Sequence, residues 1–249
     1  MTTTTTARWQ LCRARKQSAG IRLYCFPHSG GSAGEYLRWA DQLPDVEVWG
    51  LQLPGHGSRV DEPALTGMTE LVDAIVSNVD FGEPFALFGH SLGSLVAFET
   101  ARALRAAGLP GPRQLYVSAA KPPHLHRPGP PLHGLDTDEL LAAVERTYGS
   151  LPAAIREDAE TLELLLGGLR ADLRIVAGYA PTSEAPLDCP IEVFGGNADE
   201  EPQAELAEWR VHTTNTCRLR MFAGDHFYFR EQPDEFFTAL AGSLAQCAH

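Results

Sequence analysis

Lysine is nearly absent from this chain. Of 20 basic residues only Lys16 and Lys121 are lysine and the other 18 are arginine, which we read as the coding bias of a GC-rich genome and not as a function. Positive charge is scarce altogether, and the formal net charge is −12. That balance argues against nucleic acid as a partner, because phosphate binding needs a clustered basic surface. Cysteine is sparse and odd in number: five residues, Cys12, Cys25, Cys189, Cys217 and Cys247, with no Cys-x-x-Cys pair. A disulfide framework and a zinc site are both disfavoured, and a reducing compartment suits the pattern. The nine histidines include no His-Glu-x-x-His arrangement. Long apolar runs are missing too; none approaches the ~20 residues that span a membrane. The start, "MTTTTTARWQLCRARKQ", lacks the apolar stretch of a secretory signal. It reads as a polar leader, poorly ordered over residues 1–16, with Trp9 the first anchored residue. The expected location is the cytoplasm. There are no internal repeats and no linker long enough to divide the chain, so one domain over 1–249 is expected.

What is present is an alternation of strand and helix patterns. "IRLYCF" is a run of strand formers, followed by the loop "PHSGGSAG" and a helical pattern, "EYLRWADQL". "VEVWGLQL" is the next strand and "PGHGSR" the next loop. "MTELVDAIVSNV" places Leu71, Val72, Ile75, Val76 and Val79 at helical intervals. "PFALFG" is a strand, "SLVAFETARALRAAG" a helix closed by Gly108 and Pro110, and "RQLYVSAA" another strand. This order implies parallel strands joined by crossover helices. From Lys121 to about Tyr179 the alternation stops. A Pro/His-rich loop, "KPPHLHRPGPPLHG", leads into two helical patterns, the second long and apolar over much of its face. The segment of about residues 121–180 is expected to be a helical insertion that forms a lid over the sheet. Alternation resumes with "CPIEVFGG", a helix around "AELAEWR", the strand "CRLRMFAG" and a last helix, "DEFFTALAGSLAQC".

Gly89-His90-Ser91-Leu92-Gly93 matches Gly-x-Ser-x-Gly. The pattern alone is weak; its setting gives it weight. A buried strand must end at it and a helix begin, because the strained turn lifts the serine hydroxyl clear of the sheet. "FALF" before and "LVAFETARAL" after meet that requirement. The new helix also directs its first N–H groups toward the serine, where negative charge would develop. Ser91 is therefore the candidate nucleophile, against the plainer reading of a structural Gly/Ser turn.

A serine hydroxyl needs a base, and the base needs a carboxylate to hold it. In this arrangement the chain order is Ser, then Asp or Glu, then His. The histidines after Ser91 are His124, His126, His133, His212, His226 and His249. The first three lie in the entry loop of the insertion, His212 follows a surface helix, and His249 is the last residue. His226, in "FAGDHFYF", follows the last strand and is the candidate base. For the acid, the loop after "RQLYVSAA" offers no carboxylate, whereas "GGNADEE" offers Asp199, Glu200 and Glu201. Asp199 is the candidate, Glu200 the fallback, and Asp225 is read as structural because side chains of adjacent residues diverge. The oxyanion hole should use the N–H of Leu92 and one from "FPHSGGSAG", with Ser29 the candidate and His28 next. A phosphate cradle is disfavoured there, since no Gly-Lys-Ser/Thr follows.

"CFPHSGG", "LPGHGSR", "GHSLGS", the spacing of Asp199 and Trp209, and "GDHFYF" occur in this order. Together they resemble the stand-alone type II thioesterases that accompany polyketide synthases and nonribosomal peptide synthetases. The resemblance runs from about Trp9 to the last helix. It implies an α/β-hydrolase fold with a mostly parallel central sheet, flanking helices and a helical lid. It also implies an editing hydrolase that removes acyl groups from the phosphopantetheine arm of an acyl carrier protein, with Ser91, Asp199 and His226 as triad and no metal or organic cofactor. Ser29 takes the place of an alanine in the family's usual Pro-His-Ala-Gly-Gly loop. Leu92 stands where the family often has Met, and His56 where it commonly has Arg. An acidic carrier would dock on this acidic chain through local basic or apolar contacts, for which Arg127, Arg156, Arg170 and Arg174 are candidates, each weighed against a solvated surface charge. A monomer is expected, with neither nucleic acid nor membrane as partner. A carboxylesterase or lipase, an acyltransferase, and a non-catalytic binding module are the alternative readings of the same fold.

Overall fold

A computed structural model of the chain describes residues 6–16, 18–127, 131–148 and 157–247. Its framework is a seven-stranded sheet: β1 (Gln10–Leu11), β2 (Ile21–Phe26), β3 (Val46–Leu51), β4 (Phe85–His90), β5 (Gln114–Ser118), β6 (Ile191–Gly196) and β7 (Cys217–Phe222), in the spatial order β1-β3-β2-β4-β5-β6-β7. β1 is antiparallel to β3 and every other pairing is parallel. The near-continuous apolar runs of β2 to β6 follow from burial on both faces. Tyr24, Phe26, Leu87, Val117 and Val193 pack on one face, with α2 (Met68–Asn78) and α3 (Leu92–Ala106), which follow the short α1 (Ala33–Leu37) in the chain. Leu23, Cys25, Phe88, Tyr116 and Phe194 pack on the other, against Tyr36, Trp39 and residues of the C-terminal helix such as Phe236 and Leu240.

Between β5 and β6 lies the insertion, with α4 (Thr137–Tyr148) and α5 (Ala159–Gly178). Asp158 caps α5, its carboxylate accepting from the N–H groups of Glu160 and Thr161, both 3.2 Å away. Leu140, Leu166 and Leu169 form a separate apolar cluster there. The final helix is α6 (Pro233–Cys247).

Three elements differ from their sequence pattern. "EYLRWADQL" reads as one helix but divides into α1 and a 3₁₀ turn, Arg38–Asp41. The turn seats Trp39 among Phe88, Phe236, Phe237 and Phe229, with ring centroids 4.9, 5.3, 5.3 and 5.7 Å away. "AELAEWR" becomes a four-residue helix, Gln203–Leu206, and a 3₁₀ stretch, Ala207–His212, which drives Trp209 into the core to donate to the Ala120 carbonyl at 2.7 Å. No periodicity announces β1. Trp9, the expected first anchor of the leader, is buried under the Arg59 guanidinium (4.4 Å), but residues up to 16, expected to be poorly ordered, are also held: Lys16 Nζ donates to the Leu43 carbonyl at 2.8 Å.

The two outer strands are dissimilar. β1 is two residues long, and β7 points Arg218 and Arg220 into solvent.

β2 lies between β3 and β4, so the strand order reverses there. The C-terminal edge at such a point is where α/β folds hold ligands. Phe26 pairs with Gly89, which sets the loop after β2 beside the turn that follows β4.

Candidate active site

Ser91 sits between β4 and α3 with φ +54° and ψ −122°. A left-handed φ at a non-glycine residue costs on the order of 1–3 kcal/mol and persists only where its surroundings enforce it. Here the enforcement is visible. A Cβ at Gly89 would lie 2.1 Å from the Gly93 carbonyl oxygen, and one at Gly93 would lie 2.1 Å from that of Phe26. The turn is that tight, and the loop after β2 presses directly on the start of α3. The Ser91 N–H donates to the Ser118 carbonyl at 2.8 Å. The buried Ser94 hydroxyl lies 2.8 Å from the Gly89 carbonyl and 2.9 Å from that of Ser118. Leu92 is the first residue of α3, whose opening N–H groups have no partner within the helix.

His226 and Asp199 come together across 27 residues of chain. His226 Nδ1 lies 3.1 Å from Asp199 Oδ2 and 3.2 Å from Oδ1, with both side chains largely buried. The loops after β6 and β7 are tied to each other: Asn197 N–H donates to Phe222 O and Ala198 N–H to Gly224 O, each at 2.8 Å. The Asp199 carboxylate also accepts from the Glu200 N–H at 2.7 Å. Glu200 is exposed, and Glu201 pairs with Lys121 at 3.3 Å. Asp225 caps its own turn, accepting from the Phe227 N–H at 2.8 Å. The imidazole of His90, the residue before Ser91, lies 4.9 Å centroid to centroid from that of His226, so the Asp199–His226 pair stands beside the serine turn.

The other histidines have different work. His124 Nδ1 is 2.9 Å from His212 Nε2, and His126 Nε2 is 2.9 Å from the Val176 carbonyl on α5. His133 lies in a 3₁₀ turn of the insertion, and His249 lies outside the described residues.

Ser29 is buried in the loop after β2. Its neighbour Gly30, at φ +75°, donates its N–H to Asp172 Oδ2 on α5 at 2.7 Å. The loop that carries one candidate oxyanion donor therefore rests on the insertion.

Two buried imidazoles near the site are held neutral. Burial above all, then the positive Arg230, pushes His28 down to about 3. Burial does the same to His90, well below the ordinary imidazole range. No sequence pattern marks what braces His90: its Nδ1 is 2.8 Å from Ser118 Oγ, which is 2.5 Å from the Tyr228 hydroxyl.

Of the candidate docking arginines, Arg170 donates to the carbonyls of His133 (3.0 Å) and Leu135 (2.6 Å), and Arg127 to those of His124 (3.2 Å) and His126 (2.9 Å). Arg174 is exposed on α5, and Arg156 lies outside the described residues. A cavity of about 670 Å³, lined by Met68, Glu99, Arg102 and Tyr179 among others, is bordered by none of the loops that carry Ser29, Ser91, Asp199 and His226. Among the described residues no group of three metal-ligating side chains occurs, and no helix is long and apolar enough to cross a membrane.

Residues 21–244 match the family model described as "Thioesterase domain". The chain is 37% identical to "Thioesterase PikA5" of Streptomyces venezuelae, over 91% of this chain and 82% of that protein. It is 35% identical to "Linear gramicidin dehydrogenase LgrE" of Brevibacillus parabrevis, over 96% and 93%. Among solved structures it resembles the "type II thioesterase BorB from the borrelidin biosynthetic cluster", with a TM-score of 0.84, 34% identity and coverage of 97% of this chain and 98% of that one.

Proposed function

Because this chain belongs to the thioesterase family of α/β-hydrolases, we propose that Ser91, Asp199 and His226 form the triad with which it cleaves acyl groups from the phosphopantetheine arm of an acyl carrier protein. The protein is a serine hydrolase acting on thioesters, similar to type II enzymes of polyketide and nonribosomal peptide pathways. The observation that carries the assignment is the Asp199–His226 contact at 3.1 Å beside a serine held at φ +54°. A carboxylate on Nδ1 leaves the other nitrogen, Nε2, as the one that takes a proton.

The chemistry then runs in two halves. Ser91 Oγ attacks the thioester carbonyl while its proton passes to His226. The oxyanion is met by the N–H groups of Leu92 and Ser29; one such donor contributes about 2.7–4 kcal/mol to the transition state in related chemistry. As the C–S bond breaks, the thiol of the carrier arm leaves with the proton from His226. Water, activated by the same imidazole, then attacks the acyl-enzyme and releases the acid. This scheme uses no metal and no organic cofactor.

The name of one relative raises oxidoreduction. This chain has no Gly-x-Gly-x-x-Gly run for a dinucleotide, and its strand-to-helix turn carries Gly-x-Ser-x-Gly instead. We further read the chain as one domain acting in the cytoplasm as a monomer, with the insertion of about residues 121–180 serving as lid and acyl pocket, and neither nucleic acid nor membrane as partner. The test is acyl release from an acylated carrier protein by wild type and Ser91→Ala. Release abolished in the variant is the expected result. Hydrolysis of oxygen esters with no action on acyl-carrier would favour a carboxylesterase instead.

A further inference from the structure

His56, in the loop after β3, is buried and faces an oxygen with each ring nitrogen. Nδ1 lies 3.0 Å from the Pro54 carbonyl and Nε2 lies 2.8 Å from Asp172 Oδ2 on α5. A carbonyl only accepts, so Nδ1 carries a hydrogen. An ionised carboxylate only accepts as well, so Nε2 carries one too. The ring satisfies both partners only as imidazolium. The same Asp172 oxygen receives the Gly30 N–H at 2.7 Å. One carboxylate on the insertion thus ties together the loop after β3 and the loop that presents Ser29. Contact is close throughout: a Cβ at Gly168 of α5 would lie 2.5 Å from the Gly55 oxygen and 3.2 Å from His56 Nε2.

We propose that His56 and Asp172 are positioning residues for hydrolysis, their charged pair fastening α5 to the loop of Ser29 so that the oxyanion hole is complete only while the insertion is seated. The inference rests on the assignment of Ser29 as an oxyanion donor. Neither side chain touches substrate; both act through the backbone of Gly30. Loss of the His56 proton removes one donor and the attraction that balances a buried carboxylate. Burial opposes the imidazolium, but the hydrogen bond and charge of Asp172 outweigh it and raise His56 above the ordinary imidazole range. The interaction is therefore complete below the ordinary imidazole value of about 6.5, while the carboxylate is ionised, and is lost as pH rises through the raised value. Charged and titratable groups on the surrounding elements are Glu160, Glu163, Arg170, Asp172 and Arg174 on α5, His28 on the Ser29 loop, and Arg59, Asp61 and Glu62 in the loop of His56 itself. Asp172 is the one that bonds to the ring.

The experiment compares wild type, His56→Gln, Asp172→Asn and His56→Arg on a short-chain acyl thioester of N-acetylcysteamine, from mildly acidic to alkaline pH. Hydrogen–deuterium exchange over residues 27–32 is followed in parallel. His56→Gln and Asp172→Asn are expected to lose about tenfold to a hundredfold in kcat with KM little changed. His56→Arg, whose charge does not titrate, is expected to restore most of the turnover lost in His56→Gln and to abolish the alkaline fall of the wild type. The Gly30 amide should exchange faster in His56→Gln than in wild type or His56→Arg. If His56→Gln does not fold, the alkaline limb of His56→Arg decides alone. Wild-type kcat and wild-type exchange in the two neutralising variants, or an unchanged alkaline fall in His56→Arg, would overturn the proposal. Absence of Ser91-dependent turnover in wild type, with the exchange pattern as expected, would overturn the assigned reaction and leave the clasp standing.

Discussion

Two adjacent glycines on α5 should answer the same substitution differently, only one of them with a gain in stability. A Cβ at Gly167 meets nothing within 4 Å. Gly167→Ala therefore gains helix propensity alone, about 1 kcal/mol, or a rise of about 2–4 °C in Tm for a chain of this size. At Gly168 the same methyl would lie 2.5 Å from the Gly55 carbonyl oxygen. Carbon and carbonyl oxygen meet comfortably at about 3.3–3.6 Å. Helix and loop must separate by roughly 1 Å, and overpacking of that kind costs about 1–3 kcal/mol. That range cancels or exceeds the propensity gain, so Tm should hold or fall. Activity should suffer more than stability, because misplacement by about 1 Å near a reacting centre costs on the order of a hundredfold. Melting curves by circular dichroism and kcat/KM on an acyl thioester read both effects. A Gly168→Ala protein as stable and as active as Gly167→Ala would refute the reasoning, and with it the close seating of α5 on the β3 loop.

Asp199→Asn should fold like wild type and lose about three to four orders of magnitude in kcat, since an amide cannot hold the imidazole in the required tautomer or stabilise its charge; steady-state kinetics check this, and a loss below tenfold would return the acid role to Glu200 or Glu201. Ser94→Ala removes the hydroxyl shared by the Gly89 and Ser118 carbonyls; a loss of about 1–3 kcal/mol in urea unfolding is expected, and an unchanged midpoint would deny it that role. The pH dependence of stability should carry two opposite signatures. His28, held down at about 3, and His90, also depressed, refuse protons that the unfolded chain accepts below roughly pH 6.5. Their contribution is complete above that pH and lost as pH falls, by up to about 1.4 kcal/mol per unit for each. His56 is raised, so its contribution is lost on the alkaline side. A Tm that stays flat from neutral to about pH 5 would contradict the burial of the first two.

The central strands were readable because burial on both faces leaves unbroken apolar runs such as "FALFGH". The triad candidates were readable because the serine turn is a sequence pattern and chain order restricts its partners. Asp199 stands out from its neighbours as the first carboxylate after a glycine turn and by its spacing from Trp209; the contact with His226 depends on backbone bonds between two loops that no motif encodes. Trp209 is marked in the sequence by its spacing from Asp199, and its part in the structure is to pack on Phe98 and hold the Ala120 carbonyl. Local periodicity misjudges the helix around Trp39, because edge-to-face packing of Trp39 against four phenylalanine rings prevails over propensity. The His56–Asp172 pair was invisible: its members stand 116 residues apart and belong to different patterns.

The ends of the sheet bear on how the chain can be handled. Strand β3 would be an outer strand, offering free backbone groups to any extended peptide, were Gln10 and Leu11 not paired to Leu51 and Gly50. At the far side β7 deters the same intrusion with Arg218 and Arg220. Trimming the N-terminus past Trp9 would therefore do more than remove a tail. It would unlatch one end of the molecule and turn a protected strand into a template for self-association, so a tag is better attached ahead of Trp9 than put in its place.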